Sequence, residues 1–494
     1  MPNKDSTYNS ILKANTLFGG LQIYQIFIQV IRSKVIALLL GPSGIGIQGL
    51  FTSATKLIQD ITSMGLSQSA VKDISEAYAQ DDANSINKTV TVLNKLIKYT
   101  GIIGSVLVIL LSPILSRTSF GNYDFTIPFI ILSSTLLFDQ VSSGQKSILQ
   151  GTRRLKELAK ASALGSTIGL LVTIPLYYWL GVNGIVPTLV INSFASLILT
   201  RTFVRRLNIK QIDISFKNTI EAGASMMKMG VAMCMSGVLV SLSSYIIRGY
   251  VSHVGGTDQV GFYVAGFAIV NTYVGMIFTA ISSDFYPRLA AVNSDNAKCR
   301  QIVNAQGEIG AIIMAPLIII CILFMPIVIS ILYSNQFSAS NDYLIWAVLG
   351  MYFKLASWVI AFQFVAKAES TLFIINEITI AIIGTGIQLL GYRLFGLMGL
   401  GFGFFIKYII YFIQVYTIAR LRYSFYFHGA FLKIFCIQLF LIAFGVGASF
   451  ISVPMIKYIL GSIIIIVSVI YSWKELEKRV PIKDIVKSKF IIHP

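Results

Sequence analysis

Apolar residues recur along this chain in runs of about 20, the length a helix needs to cross the hydrocarbon core of a bilayer. The runs lie near residues 16–40, 44–70, 97–116, 126–148, 158–180, 184–204, 224–250, 260–283, 309–332, 342–366, 371–392, 396–418, 431–452 and 455–473, which predicts about 14 transmembrane helices. Polar positions inside the runs are ordered. At 100° per residue, Gln22, Gln25, Gln29 and Arg32 fall within an arc of roughly 80°. On the next helix Gln48, Thr52, Thr55, Lys56, Gln59, Asp60 and Ser63 cover roughly 140°. Lipid does not tolerate such faces, because a charge near the bilayer centre costs at least about 2.5–3.5 kcal/mol on insertion scales. Protein or water must therefore line them. Two readings stand beside ligand binding: glutamines join helices through hydrogen bonds, and Lys56 and Asp60, four apart, suit an ion pair within one helix.

The pattern also repeats. A shift of 215 residues lays GIGIQGLF (44–51) on QVGFYVAG (259–266) and SAVKDIS (69–75) close to DFYPRLA (284–290). It matches Arg32 to Arg248 with one residue of slippage, and it sets Asp139 on Lys354. The expected fold is all-α: a polytopic membrane protein with two pseudo-symmetric six-helix lobes around a central cavity, plus a C-terminal helix pair. The expected divisions are an N-lobe at 1–206, a cytoplasmic linker at 207–223, a C-lobe at 224–423, and the last two helices with a basic tail at 424–494.

Composition narrows the class further. Of 494 residues, 55% are hydrophobic and 12% charged, against roughly 25% charged in a soluble domain. The net charge of +18 would suggest nucleic acid in a soluble chain. Here it follows the positive-inside rule: with the N-terminus in the cytoplasm, only Arg117 and Arg393 of the 39 Lys and Arg fall in outer loops, with Lys457 at the outer edge of the last span. Both termini are thus expected in the cytoplasm, with membrane lipids and no nucleic acid as partners. The basic stretches RTFVRRLNIKQIDISFK (201–217) and KELEKRVPIKDIVKSK (474–489) read as anchors against anionic lipid. The N-terminus lacks the pattern of a cleaved signal, so the first helix is expected to be retained. Four scattered cysteines and three distant histidines predict neither a disulfide framework nor a metal site.

Within the spans, cations, among them Arg32, Lys34, Lys56, Arg248, Lys354 and Lys407, outnumber anions, among them Asp60, Asp139 and Glu377. A surplus of positive charge suits a phosphate or other acidic ligand, since guanidinium offers a fork that matches phosphate oxygens. Arg32 and Arg248 are the leading candidates to hold such a group, with structural pairing the alternative for each. Gln25, Gln29, Gln59 and Lys354 are further substrate contacts. Asp60, Asp139, Glu377 and Lys407 are candidates for gating or coupling, and Asp139 and Lys354 are placed to make and break an ion pair. No Gly-Lys dipeptide occurs, so a phosphate-binding loop is absent, and HExxH, GxSxG and a TVGYG-like filter are absent too. Neither an enzyme nor a cofactor is expected.

The stretches IRSKVIALLLGPSGIGIQGLF (31–51) and DITSMGLSQSAVKDIS (60–75) resemble the start of polysaccharide transporters in the multidrug/oligosaccharidyl-lipid/polysaccharide (MOP) exporter superfamily, and more narrowly Wzx-type O-antigen flippases. The Leu-Gly-Pro-x-Gly-x-Gly turn at 40–46 is the most recognisable piece. With the span count, the repeat and the length, the resemblance covers essentially the entire chain. It implies a multi-pass protein of the bacterial inner membrane that moves undecaprenyl-pyrophosphate-linked oligosaccharide from the cytoplasmic to the periplasmic leaflet by alternating access, coupled to H+ or Na+. An O-antigen polymerase and a chain-length regulator are the partners it implies. Related multidrug exporters usually carry an acidic residue in the first helix, where this chain has Arg32. That difference argues against the rival reading, an ion-coupled antiporter of small amphiphiles. A membrane glycosyltransferase, the other rival, would need a larger external loop than any present here.

Overall fold

The computed structural model describes residues 4–80, 82–275, 278 and 285–479, with side chains from Gly20 onward except Tyr273. Asp284 of the repeat and the basic tail from Val480 lie outside the described residues. The helices are α1 (Lys4–Thr62), α2 (Leu66–Ala79), α3 (Ala83–Phe120), α4 (Thr126–Gly151), α5 (Leu155–Leu180), α6 (Ile185–Arg205), α7 (Phe216–Ala268), α8 (Asn296–Leu332), α9 (Ser340–Ala366), α10 (Ser370–Tyr423), α11 (Gly429–Ser449) and α12 (Pro454–Glu477). A π-helical turn, Ile269–Val274, extends α7. The fold is all-α, as the hydropathy pattern predicts.

Among the described residues, ten helical stretches are apolar and long enough to cross a membrane, against the 14 expected from sequence. Four of the ten hold 43, 51, 57 and 54 residues, which at 1.5 Å per residue is about two to three times the roughly 30 Å of hydrocarbon. Each of the four is broken where the sequence reading puts a loop. α1 breaks at Gly41 (φ 65°) and α7 at Gly256 (φ 81°). α10 breaks at Gly396 (φ 59°), and a short 3-10 turn at Gly181–Gly184 separates α5 from α6. Only glycine takes these left-handed conformations without a Cβ penalty, and Pro42 follows Gly41 because its fixed φ suits a first helical turn.

These breaks carry the repeat. Gly41 and Gly256, and likewise Gly181 and Gly396, stand 215 residues apart. So do Arg153 and Ala368, which share a φ of 57° although neither is glycine. Around Arg153 the bonds run Thr152 N–H to Ile148 O, Arg153 N–H to Gln150 O and Arg154 N–H to Leu149 O. Around Ala368 they run Lys367 N–H to Gln363 O, Ala368 N–H to Val365 O and Glu369 N–H to Phe364 O. Every donor and acceptor is displaced by the same 215 residues. Both sets close the preceding helix in the manner of a Schellman cap. The pseudo-symmetry expected from a weak sequence match is therefore present in the backbone.

By packing, the chain forms two compact units: residues 1–261 with 332–334, and residues 262–331 with 335–494. In the first, Leu66, Ala70 and Ile74 of α2 pack with Val90, Leu93 and Ile97 of α3, Ile148 of α4 and Met226 of α7. Phe51 of α1 packs edge-on against Phe129, at 5.1 Å between ring centroids. The α1 and α7 backbones touch where glycine permits it. A Cβ on Gly46 would lie 1.9 Å from Thr257 O, and one on Gly261 would lie 1.9 Å from Pro42 O. The repeat shift turns either contact into the other. In the second unit, stacked rings fill the core, among them Tyr352 on Phe435 (4.5 Å) and Phe427 on Phe431 (4.0 Å). The terminal pair α11 and α12 is joined by Gln438, whose amide donates to Ser472 Oγ and whose carbonyl accepts from Ser468 Oγ, both at 2.7 Å.

Candidate functional site

Arg32 lies on the second half of the polar stripe of α1, where α1 packs on α5. α5 is open to the guanidinium at Gly169. A methyl group there would come within 3.9 Å of Arg32 Nη1 and 3.6 Å of Asn192 Oδ1 on α6. The phenol of Tyr177, two turns beyond Gly169, is within electrostatic reach of the same cation. The surroundings are polar and incompletely bonded. Arg32 Nε and both polar atoms of Asn192 are buried and complete no hydrogen bond, and the buried hydroxyls of Tyr177 and Thr188 have only each other within reach. Arg32 has no carboxylate partner among the described residues. A buried donor left unmade costs about 1–3 kcal/mol, more when charged, so three such atoms in one place form a site that an acidic, hydrogen-bonding guest would relieve.

Sequence reasoning singled out Arg32 and missed Tyr177, Thr188 and Asn192. The signal existed as fourfold spacing: Gly169, Thr173 and Tyr177 share one face of α5, and Thr188, Asn192 and Ser196 share one face of α6.

The other residues of the first unit are placed as follows. Gln25 and Gln59 are half-buried and Gln29 is exposed, and none makes a side-chain hydrogen bond among the described residues. Asp60 is paired with Lys56 at 2.6 Å and accepts a hydrogen bond from Ser241 Oγ of α7. That is the within-helix pairing that four-residue spacing allows. Arg248 Nη1 donates to the Gly49 carbonyl at 2.8 Å, joining α7 to α1. Asp139 on α4 lies near Ser193 of α6, with Lys146 and Lys56 in electrostatic range.

In the second unit, Lys354, Glu377 and Lys407 come together. Tyr411 Oη donates to Glu377 Oε1 at 2.6 Å, and Glu377 is the charge that Lys354 feels. Lys354 Nζ lies over the rings of Phe278 (5.3 Å) and Tyr408 (5.5 Å), while Lys407 Nζ lies 5.7 Å from the Tyr408 centroid. The Lys407 stem crosses Gly384, where a Cβ would sit 2.5 Å from Lys407 Cδ. Beside them Gln414 Nε2 donates to Asn376 Oδ1 at 2.6 Å. Two ammonium groups thus flank the Tyr408 ring, and Glu377 is the carboxylate within electrostatic range of Lys354. The tyrosines and amides of this cluster were not anticipated, although Lys407, Tyr411 and Gln414 recur at helical spacing.

Comparison with known proteins places the chain. The profile of a family described as polysaccharide biosynthesis protein matches residues 35–342. The lipid III flippase of Escherichia coli (strain K12) is 20% identical over 377 residues, covering 75% of this chain and 88% of its own. A putative O-antigen transporter of Shigella flexneri is 22% identical over 343 residues, covering 67% of this chain and 79% of its own. Among solved structures, an inward-facing multidrug resistance MATE family transporter of the MOP superfamily superposes with a TM-score of 0.70 at 16% identity, over 83% of this chain and 96% of that one. The lipid II flippase MurJ gives a TM-score of 0.65 at 14% identity, over 94% and 99%. The fold is therefore that of MATE- and MurJ-type transporters.

Proposed function

The chain belongs to the polysaccharide biosynthesis protein family, and from that premise we propose that it is a lipid-linked oligosaccharide flippase. Its cargo is an undecaprenyl-pyrophosphate-linked O-antigen repeat unit, moved from the cytoplasmic to the periplasmic leaflet of the inner membrane by alternating access. The observation that carries this reading is the Arg32 guanidinium, buried among Asn192, Tyr177 and Thr188 with no carboxylate among the described residues to neutralise it. A pyrophosphate would supply the missing charge, and the open donors and acceptors would serve its oxygens or the first sugar. The names of the Escherichia coli and Shigella flexneri relatives support the same cargo class.

Several finer elements belong to the proposal. Six-helix lobes at 1–206 and 224–423, joined by the linker at 207–223 and followed by the terminal pair, rock around a central cavity. Each of the four long apolar stretches turns back at its break, which gives fourteen crossings and puts both termini in the cytoplasm. Arg248, Gln25, Gln29, Gln59 and Lys354 complete the substrate contacts. Asp60, Asp139, Glu377 and Lys407 carry gating or the coupling to H+ or Na+. A polymerase and a chain-length regulator receive the product.

The test is flipping of labelled lipid-linked sugar in proteoliposomes. Arg32→Ala should lower the rate roughly 10- to 100-fold, the equivalent of about 1.5–3 kcal/mol for a charge-assisted hydrogen bond. Arg32→Lys should fall between the two, because it keeps the charge and loses the fork. An Arg32→Ala protein that folds, reconstitutes and flips at the wild-type rate would remove the proposed role.

A further inference from the structure

Apart from the charged clusters above, the first unit holds a cavity of about 770 Å³ between α3, α4, α6 and the segment that follows α6. Its walls are two-sided. α3 and α4 run antiparallel, since Ser105 Oγ reaches Ser133 O and Gly101 faces Leu137. α4 and α6 run parallel, since Ser142 pairs with Ser196 and Gln145 with Thr200. Along these directions the lining changes in the same sense on all three helices. Lys98 gives way to Ile102 on α3, Gln145 to Leu137 on α4, and Arg201 to Leu197 on α6. One end of the cavity is cationic, and the other, starting about 6 Å deeper, is apolar.

The cationic end is assembled from four side chains, Lys98, Arg201, Arg205 and Lys210, and no carboxylate lines the cavity. None of the four has an acidic partner among the described residues. The strand of chain that brings in Lys210 is fixed to α3. Lys210 N–H donates to Asn87 Oδ1 (3.0 Å), Ile212 N–H to Thr91 Oγ1 (3.2 Å), and Lys95 Nζ to Ile214 O (2.5 Å). Lys95 also takes up Asp213, the nearest acid in that segment, at 3.6 Å. Gln145 Oε1 is occupied by Thr200 Oγ1 at 2.7 Å, which leaves its amide N–H groups to the cavity.

We propose that this cavity binds the phosphate headgroup of an anionic phospholipid, with the first part of an acyl chain lying along Ile102, Leu137 and Leu197. Guanidinium and ammonium groups with no internal counter-charge select phosphate, and basic pockets between transmembrane helices are suited to anionic headgroups. The apolar half selects a lipid over a free anion, because a soluble phosphate would leave that half empty. The site is separate from the Arg32 cluster, and its assignment to the cytoplasmic leaflet rests on the topology proposed above.

The experiment uses the full chain in nanodiscs of phosphatidylcholine with and without phosphatidylglycerol, with tightly held lipid counted by native mass spectrometry. Wild type should retain phosphatidylglycerol in preference to phosphatidylcholine. The triple variant Lys98→Gln, Arg201→Gln, Arg205→Gln should retain at least about tenfold less. A variant with the same charge change elsewhere, Lys298→Gln, Lys433→Gln, Lys457→Gln, outside both basic stretches, should match wild type. Leu137→Trp fills the apolar half without altering charge and should also lose the lipid, which guards against misfolding of the triple variant. Equal retention by wild type and both cavity variants would overturn the proposal. Release of the lipid by millimolar inorganic phosphate would assign the site to a soluble anion instead. Release by undecaprenyl pyrophosphate, lost in the triple variant, would assign it to the cargo, and either outcome overturns the phospholipid assignment.

Discussion

The reciprocal contact between α1 and α7 permits a quantitative test. A Cβ added at Gly46 would stand 1.9 Å from the Thr257 carbonyl oxygen, and one at Gly261 would stand 1.9 Å from that of Pro42. A carbon–oxygen contact needs about 3.3 Å, so either alanine must push the helices apart by roughly 1.4 Å. Neither obstacle is a side chain that can turn away. Overpacking costs about 1–3 kcal/mol, and a rigid backbone on both sides places Gly46→Ala and Gly261→Ala toward the upper part of that range. Because one separation of the helices admits both methyl groups, the double variant should cost far less than the sum, leaving a coupling of about 1–2 kcal/mol. Gly237→Ala on α7 meets no atom within 4 Å and should be neutral, or stabilising by up to about 1 kcal/mol from helix propensity. Equilibrium unfolding of the four variants in mixed micelles measures the cycle. Single variants as mild as Gly237→Ala, or a double variant that is strictly additive, would refute the reasoning.

Other consequences follow from the charge pattern. Arg479 holds Glu308 at 2.6 Å and Glu475 at 2.7 Å, tying the end of α12 to α8. Arg479→Ala leaves the mostly buried Glu308 without its partner, while Glu475 keeps Lys478 at 2.7 Å, and should cost about 1–3 kcal/mol in the same unfolding assay, with recovery on adding Glu308→Gln. Asp295 caps the start of α8: its Oδ1 accepts from Lys298 N–H at 3.1 Å and Ala297 N–H at 2.9 Å, bonds that hold the carboxyl below its ordinary range. A depressed folded value means the cap is fully formed above about pH 4 and is lost as the pH falls through that lower value. Amide exchange at Ala297 and Lys298, corrected for its intrinsic pH dependence, should show the loss in wild type and not in Asp295→Ala.

Much of the architecture is legible in the sequence because hydropathy and a single repeat constrain it. The match of GIGIQGLF to QVGFYVAG is enough to align Gly41 with Gly256 and Gly181 with Gly396, although almost no side chain agrees. The count of continuous helices was not legible, since four of them carry the chain through breaks too short to interrupt a helical stretch. At the candidate sites the sequence gives faces and withholds neighbours. Arg32 stands out as a charge on an apolar helix, but nothing in α1 indicates that Asn192, 160 residues away, waits beside it. Arg248 looks like its counterpart, yet Nη1 is bonded to a backbone carbonyl, an acceptor that every residue owns and that no motif marks. Lys56 and Asp60 were readable because their partner is four residues away.

The bends at Arg153 and Ala368 have a further meaning. A left-handed residue other than glycine costs roughly 1–2 kcal/mol, yet the two halves keep the same bend and the same three hydrogen bonds with an arginine in one copy and an alanine in the other. A corner that survives such unlike occupants is dictated by the rods it connects. In a chain built on a repeat, the lettering at such a corner is free to differ while the joinery stays, which is why the repeat is plainer in torsion angles than in residue names.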